Sequence, residues 1–222
     1  MSLPAVALLG GIVGLDATSF PQVMISRPLV AATLTGWILG DPASGVALGA
    51  LHEIFSLAVL PVGASRYPET GTASVAATAA MLSSTAAGTW STLLVALVFG
   101  LLWERVGGAT VVIYRRSIEK LLLTTSGDAL PSRKLELRHA LTLGLDFARA
   151  SLVTIGGVLL GSSLVVHLAP RADLPAGLIR GAIAVAAAAV LGGTLGVFGG
   201  WSERHKAFVL GAVAGCALLA LR

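Results

Sequence analysis

The sequence predicts an all-α, polytopic integral membrane protein made of short, broken helices with re-entrant hairpins, an arrangement open to an inverted repeat. Three observations predict it. The first is composition: 55% of the 222 residues are hydrophobic and 12% are charged, with a mean hydropathy of +0.89. A soluble domain carries about 25% charged residues, so this chain lacks the charge to cover a water-facing surface. The second is a set of runs without Asp, Glu, Lys or Arg: Thr70 to Trp103, Ala150 to Pro170 and Gly181 to Ser202. Each has room for a crossing of roughly 20 residues. The third is the frequency with which Gly and Pro cut the apolar runs, most densely between Arg27 and Ser74.

The apolar segments read, in order, as Leu3–Leu15, Pro28–Leu39, Gly45–Leu60, Thr72–Ala86, Thr89–Trp103, Gly107–Ile113, Ala140–Val166, Ala176–Gly200 and Ala207–Leu221. Leu3–Leu15 has no basic residue before it and is interrupted by Gly10, Gly11 and Gly14, so it reads as a first membrane segment, not a signal peptide. Gly45–Leu60 is bounded by Asp41-Pro42 and Pro61. At about 1.5 Å per residue it covers some 24 Å, short of a hydrocarbon core of about 30 Å. Such segments suit half-helices or re-entrant hairpins, which are tolerated at depth only where protein or a cavity surrounds them. Glycine pairs at four-residue spacing, among them Gly36/Gly40, Gly45/Gly49 and Gly157/Gly161, predict close backbone packing.

One region is clearly polar. Arg115 to Arg138 holds six basic residues against Glu119, Asp128 and Glu136, around a central loop sequence TTSGDALPS with helical, amphipathic flanks. Its basic excess places it in the cytoplasm. Residues 1–222 thus read as one membrane transport domain: an N-terminal half (1–113), the polar loop (114–139) and a C-terminal half (140–222). The net charge of +4 does not imply nucleic acid. The basic residues sit at segment ends, without interleaved aromatics, as the positive-inside bias produces. The single Cys216 excludes an internal disulfide.

Charges inside the broken region carry the functional signal. Even lenient scales put Asp, Lys or Arg at about +2.5 to +3.5 kcal/mol at the centre of a membrane helix. Glu53, within a short apolar segment, is the first candidate for accepting solute hydroxyls, the alternative being an ion pair with Arg27 or Arg66. Glu69, in a Pro-Glu-Thr-Gly turn, lines the pathway or is a loop charge. Asp16 and Gln22 flank the first break and are further candidate ligands, as is His52 beside Glu53. Asp41, between Gly40 and Pro42, reads as a turn residue capping the next helix, and Arg27 before Pro28 as an ion-pair residue at a helix start. His52-Glu53 is not a zinc-protease helix, since HEIFS lacks the second histidine. No metal site, phosphate loop or catalytic constellation is read, and no cofactor is expected.

The stretch RPLVAATLTGWILGD (Arg27–Asp41), the Gly-rich segment ending at Glu53, Pro61–Ala64, Pro68-Glu69 and Thr72–Ser74 together resemble the enzyme IIC subunit of the mannose/fructose/sorbose family of sugar phosphotransferase systems. The resemblance continues through RHALTLGLDFARA (Arg138–Ala150), where His139 and Arg149 fit, to Lys206–Gly211. His52 stands where the family usually has an apolar residue, Pro61 where a polar one is common, and Glu69 where Asp is typical. The resemblance implies a multi-pass subunit of the bacterial inner membrane that binds a hexose-type sugar. It implies as partners a IID-like membrane subunit, in a homotrimer or a trimer of IIC–IID pairs, and soluble IIA and IIB phosphocarriers. Phosphoryl transfer is then expected on IIB, and this chain is not itself an enzyme. A phosphorylation-independent carrier of the same fold and a non-transporting membrane scaffold are the alternatives.

Overall fold

A computed structural model describes residues 2–57, 68–84, 89–123, 132–172 and 175–197, together with 205, 206, 209 and 213. Among them there are helices and no strands. The elements are α1 (Leu3–Thr18), α2 (Pro28–Leu39), α3 (Pro42–Ser56), α4 (Thr70–Leu82), α5 (Trp90–Leu123), α6 (Ser132–Leu168), a 3₁₀ turn (Ala169–Arg171) and α7 (Ala176–Val197). The stretches Trp90–Glu119 of α5, Leu135–Arg171 of α6 with the 3₁₀ turn, and Ala176–Thr194 of α7 are long and apolar enough to cross a membrane. The first four helices have 12 to 16 residues and span at most about 24 Å, short of a bilayer core.

The two short arms α2 and α3 form an antiparallel hairpin. Pro28 and Pro42 each open a helix at a position where the missing N–H costs nothing. Gly40 ends α2 with φ +89°, a left-handed conformation that suits glycine. The Asp41 side chain then accepts a hydrogen bond from the Ser44 amide at 3.0 Å and caps α3. Hydrogen bonds from the Ser44 side chain and amide hold the Asp41 carboxyl below the usual carboxylate range. Glycines let the arms touch: a Cβ on Gly45 would lie 2.5 Å from the Ala32 carbonyl oxygen, and one on Gly36 would lie 2.5 Å from that of Asp41.

Helix α4 is the centre of the bundle, packed against α1, α2, α3, α5 and α6. Every residue from Gly71 to Met81 is buried. Its sequence, TGTASVAATAAML, explains this, since small side chains all round let five neighbours approach one axis. A helix buried on all sides has no amphipathic stripe to read. Around it lie two apolar clusters. One joins Leu48, Met81, Leu97, Phe99 and Val165. The other joins Val6, Val13, Val75 and Val158.

Helix α1 packs on α6 through Gly10, Gly11 and Gly14. A Cβ on Gly10 would collide with the Thr154 side chain, and one on Gly14 would collide with the Ala150 Cβ. Lipid tails are as apolar as leucine, so such contacts depend on dispersion and shape more than on exclusion of water.

Most helix ends fall a few residues from the sequence reading, and two segments it kept apart are joined. Thr89–Trp103 and Gly107–Ile113 are not separate segments; α5 runs through both without a break. The intervening Glu104-Arg105 looked like an interruption, but the helix accommodates it by burying Glu104 against α3 and turning Arg105 outward. The flanks of the polar region are the ends of α5 and α6, while its centre, 124–131, lies outside the described residues. So do Cys216 and most of Ala207–Leu221.

Candidate functional site

Four short-helix ends place carboxylates near the breaks, and each carboxylate has a different environment. Asp16 is buried on the last turn of α1. Its two oxygens accept the backbone N–H groups of Val23 at 2.6 Å and Ser26 at 2.8 Å. It thereby organises the 19–27 loop, where Gln22 and Met24 adopt φ values of 60° and 69°. Such values are uncommon for residues with a Cβ and mark a loop fixed by its surroundings. Gln22 is exposed on that loop.

Glu53, near the end of α3, is the carboxylate with capacity to spare. It meets the Arg27 guanidinium at 3.4 Å and the Leu29 amide at 3.3 Å, both long contacts. Its side chain keeps 20% exposure, and that of Arg27 is 53% exposed. Surface pairs of this kind contribute about 0 to 1 kcal/mol, so the contact with Arg27 is easily exchanged for another donor. Arg66 lies outside the described residues.

Glu69 precedes α4 and is deeply paired. Arg149, on α6, donates from Nη1 to Glu69 Oε2 at 2.8 Å and from Nη2 to Oε1 at 2.9 Å. This is the planar two-bond geometry that guanidinium and carboxylate share. Arg149 also donates from Nε to Asp146 Oδ1 at 2.9 Å and from Nη1 to Thr110 of α5 at 3.0 Å. The other Asp146 oxygen accepts the hydroxyls of Thr18 and Ser19 at the end of α1. One cation and two carboxylates thus tie α1, α4, α5 and α6 together. The side chains of Glu69 and Asp146 are 2% and 0% exposed, so Arg149 is the group that makes their burial tolerable.

His52 points into the bundle from α3 and is fully buried. Its Nε2 is 3.0 Å from Glu104 Oε2 of α5, and its Nδ1 is 2.9 Å from Ser74 Oγ of α4. The backbone N–H of Glu69 donates to the Glu104 carbonyl at 3.0 Å, joining this cluster to the α4 start. Sequence reasoning named His52, Glu69, Asp16, Gln22 and Glu53. It missed Glu104 and Asp146, and it noted Arg149 only for fitting a pattern. The missed signal was available: Glu104 is a lone carboxylate between apolar runs, as Glu53 is, and Asp146 and Arg149 are opposite charges three residues apart. Among the described residues no group of three potential ligands could hold a metal ion.

This arrangement defines a class: a helical membrane protein with three long apolar helices, a set of short broken ones, and ionisable groups paired in its interior. The description "PTS system sorbose-specific IIC component" fits a family model that matches residues 1–199, and the chain belongs to that family. A sorbose-specific EIIC component of Klebsiella pneumoniae is 29% identical over 154 residues, 67% of this chain and 51% of the relative. The fructose permease IIC component of Bacillus subtilis is 41% identical over 58 residues, 26% of this chain and 22% of the relative. The chain thus spans about half or less of the relatives it matches. A solved structure titled "Structure of membrane protein" superposes with a TM-score of 0.72 over 99% of this chain and 89% of that one. At 20% identity it shares the fold.

Proposed function

We propose that this chain is the membrane translocation subunit of a phosphoenolpyruvate-dependent sugar phosphotransferase system, which binds a hexose-type sugar and carries it inward across the bacterial inner membrane. The observation that carries the reading is the family match over residues 1–199, and the names of the relatives, for sorbose and fructose, support a sugar as the solute. Glu53 is the central ligand in this reading. A carboxylate makes charge-assisted bonds to sugar hydroxyls, and Glu53 has acceptor capacity that its weak contact with Arg27 leaves open. Arg27 keeps the carboxylate paired between transport events and yields to the solute.

Gln22 offers an amide from the neighbouring loop, with Asp16 fixing that loop from beneath. In this reading Glu69 and His52, engaged with Arg149 and Glu104, enter the pathway where the helices shift during transport. The IID-like subunit and the soluble IIA and IIB carriers complete the system. A phosphohistidine on IIB phosphorylates the sugar as it emerges, and this chain contributes binding and passage.

The test uses membrane vesicles holding this chain and its candidate IID partner, with soluble phosphotransferase proteins and labelled hexoses added. Sugar phosphate that appears only when this chain is present is the expected result. Glu53→Gln should lower uptake at least tenfold while the protein still inserts. Vesicles that accumulate unmodified sugar without phosphoenolpyruvate would replace this reading with a phosphorylation-independent carrier. Partner binding with no solute uptake would replace it with a scaffold.

A further inference from the structure

We propose that His52 and Glu104 form a proton-binding site inside the bundle, which takes up and releases one proton as the Ser74 hydroxyl changes partner. This goes beyond the sugar reading and does not depend on it. The argument is a count of hydrogens. Ser74 Oγ lies 2.8 Å from the Thr70 carbonyl oxygen and 2.9 Å from His52 Nδ1. A serine hydroxyl has one proton to donate, and a carbonyl can only accept. With that proton on the Thr70 carbonyl, the contact between Ser74 and Nδ1 requires a proton on Nδ1. The contact between Nε2 and Glu104 Oε2, at 3.0 Å, holds another. In this state the imidazole and carboxylate share two protons and are neutral together.

The second state needs one proton fewer. Ser74 turns its O–H from the Thr70 carbonyl to a bare Nδ1, and Nε2–H continues to donate to the Glu104 carboxylate. All contacts but one survive, and the Thr70 carbonyl retains its place in the helix ladder. The balanced step is the release of one proton from Nδ1 with rotation of a single hydroxyl. The site is enclosed: His52 is fully buried and the Glu104 side chain is 4% exposed. Gly100 lets the ring lie against α5, since a Cβ there would be 3.2 Å from Cε1.

The surrounding charges are accounted for. Helix α4 has no titratable side chain from Thr70 to Leu82. On α5, Arg105 Nε is 3.6 Å from the other Glu104 oxygen and offsets the negative charge left by proton release. Asp146 and Arg149 on α6 are engaged with each other and Glu69. Glu53 on α3 faces Arg27, and Arg180 on α7 lies over the Trp90 ring. Proton release has a structural reader, because Ser74 stands near the start of α4 and Glu104 holds the Glu69 amide at that same start.

The experiment is ¹⁵N spectroscopy of the histidine-labelled chain in lipid nanodiscs, between about pH 5 and pH 8, the range in which imidazoles change charge. His52→Asn identifies the His52 signals among the four histidines. The expected result is a one-proton step between a doubly and a singly protonated His52 ring, with a midpoint that moves in both Glu104→Gln and Ser74→Ala. Ser74→Ala removes one hydroxyl and tests the idea should Glu104→Gln fail to fold. A His52 ring that keeps one protonation state throughout, or a midpoint that neither variant moves, would overturn the proposal. No sugar is present, so failure of the sugar reading leaves this outcome interpretable.

Discussion

Replacing Arg149 by methionine tests whether the buried ion cluster holds the helices together. Methionine keeps much of the length of the side chain and removes its charge. The guanidinium donates to Glu69 at 2.8 and 2.9 Å, to Asp146 at 2.9 Å and to Thr110 at 3.0 Å. Its loss strands two carboxylates that are almost wholly buried. Breaking a buried pair by removing one partner costs about 3 to 5 kcal/mol. Glu69→Gln is a different perturbation. The cluster then has one cation and one carboxylate, and the amide oxygen still accepts from Arg149, so the cost is about 1 to 2 kcal/mol.

Thermal unfolding in one detergent, followed by tryptophan fluorescence, reads both. At about 2 to 4 °C per kcal/mol for a chain of this size, Arg149→Met should fall by about 10 °C and Glu69→Gln by about 4 °C. The double variant should be more stable than the sum of the two losses implies, by about 2 kcal/mol, because an amide in place of the Glu69 carboxylate strands no charge. An equal loss in both single variants, or additive losses in the double, would refute the claim that Arg149 acts by compensating buried carboxylates.

Two smaller perturbations address packing and capping. Gly10→Val pushes a branched side chain into Thr154. Overpacking of that kind costs about 1 to 3 kcal/mol, and the same unfolding assay should show it, with wild-type stability arguing against close α1–α6 contact. Asp41→Ala removes the α3 cap at Ser44 and should cost about 1 kcal/mol in that assay, with Asp41→Asn nearly neutral.

The short-helix region was legible in the sequence because its boundaries are chemical. Pro28 and Gly40 delimit α2 with no reference to the rest of the fold, and Pro42 after Asp41 opens α3 in the same way. The length of α5 was not legible. Glu104 and Arg105 read as a boundary because an unpaired charge in an apolar helix is costly, and the partner that removes the cost, His52, is 52 residues away. The position of Glu69 shows the same limit. A Pro-Glu-Thr-Gly sequence is compatible with an exposed turn or a buried ion pair, and the choice is made by Arg149, 80 residues later. Glu53 was the easiest to place, since its partners Arg27 and Leu29 belong to the adjoining hairpin arm.

The Arg149 tie also sets an order of events during synthesis. Glu69 leaves the ribosome 80 residues ahead of Arg149. At about 5 to 20 residues per second that interval is on the order of 4 to 16 s. Throughout it, the leading carboxylate of α4 lacks the Arg149 guanidinium that pairs it in the fold, and the hydroxyls at the end of α1 wait still longer for Asp146. The central helix of the finished bundle therefore cannot take its final place when it is made. It must stay near water or be sheltered by the insertion machinery until α6 arrives and lets the bundle close around it.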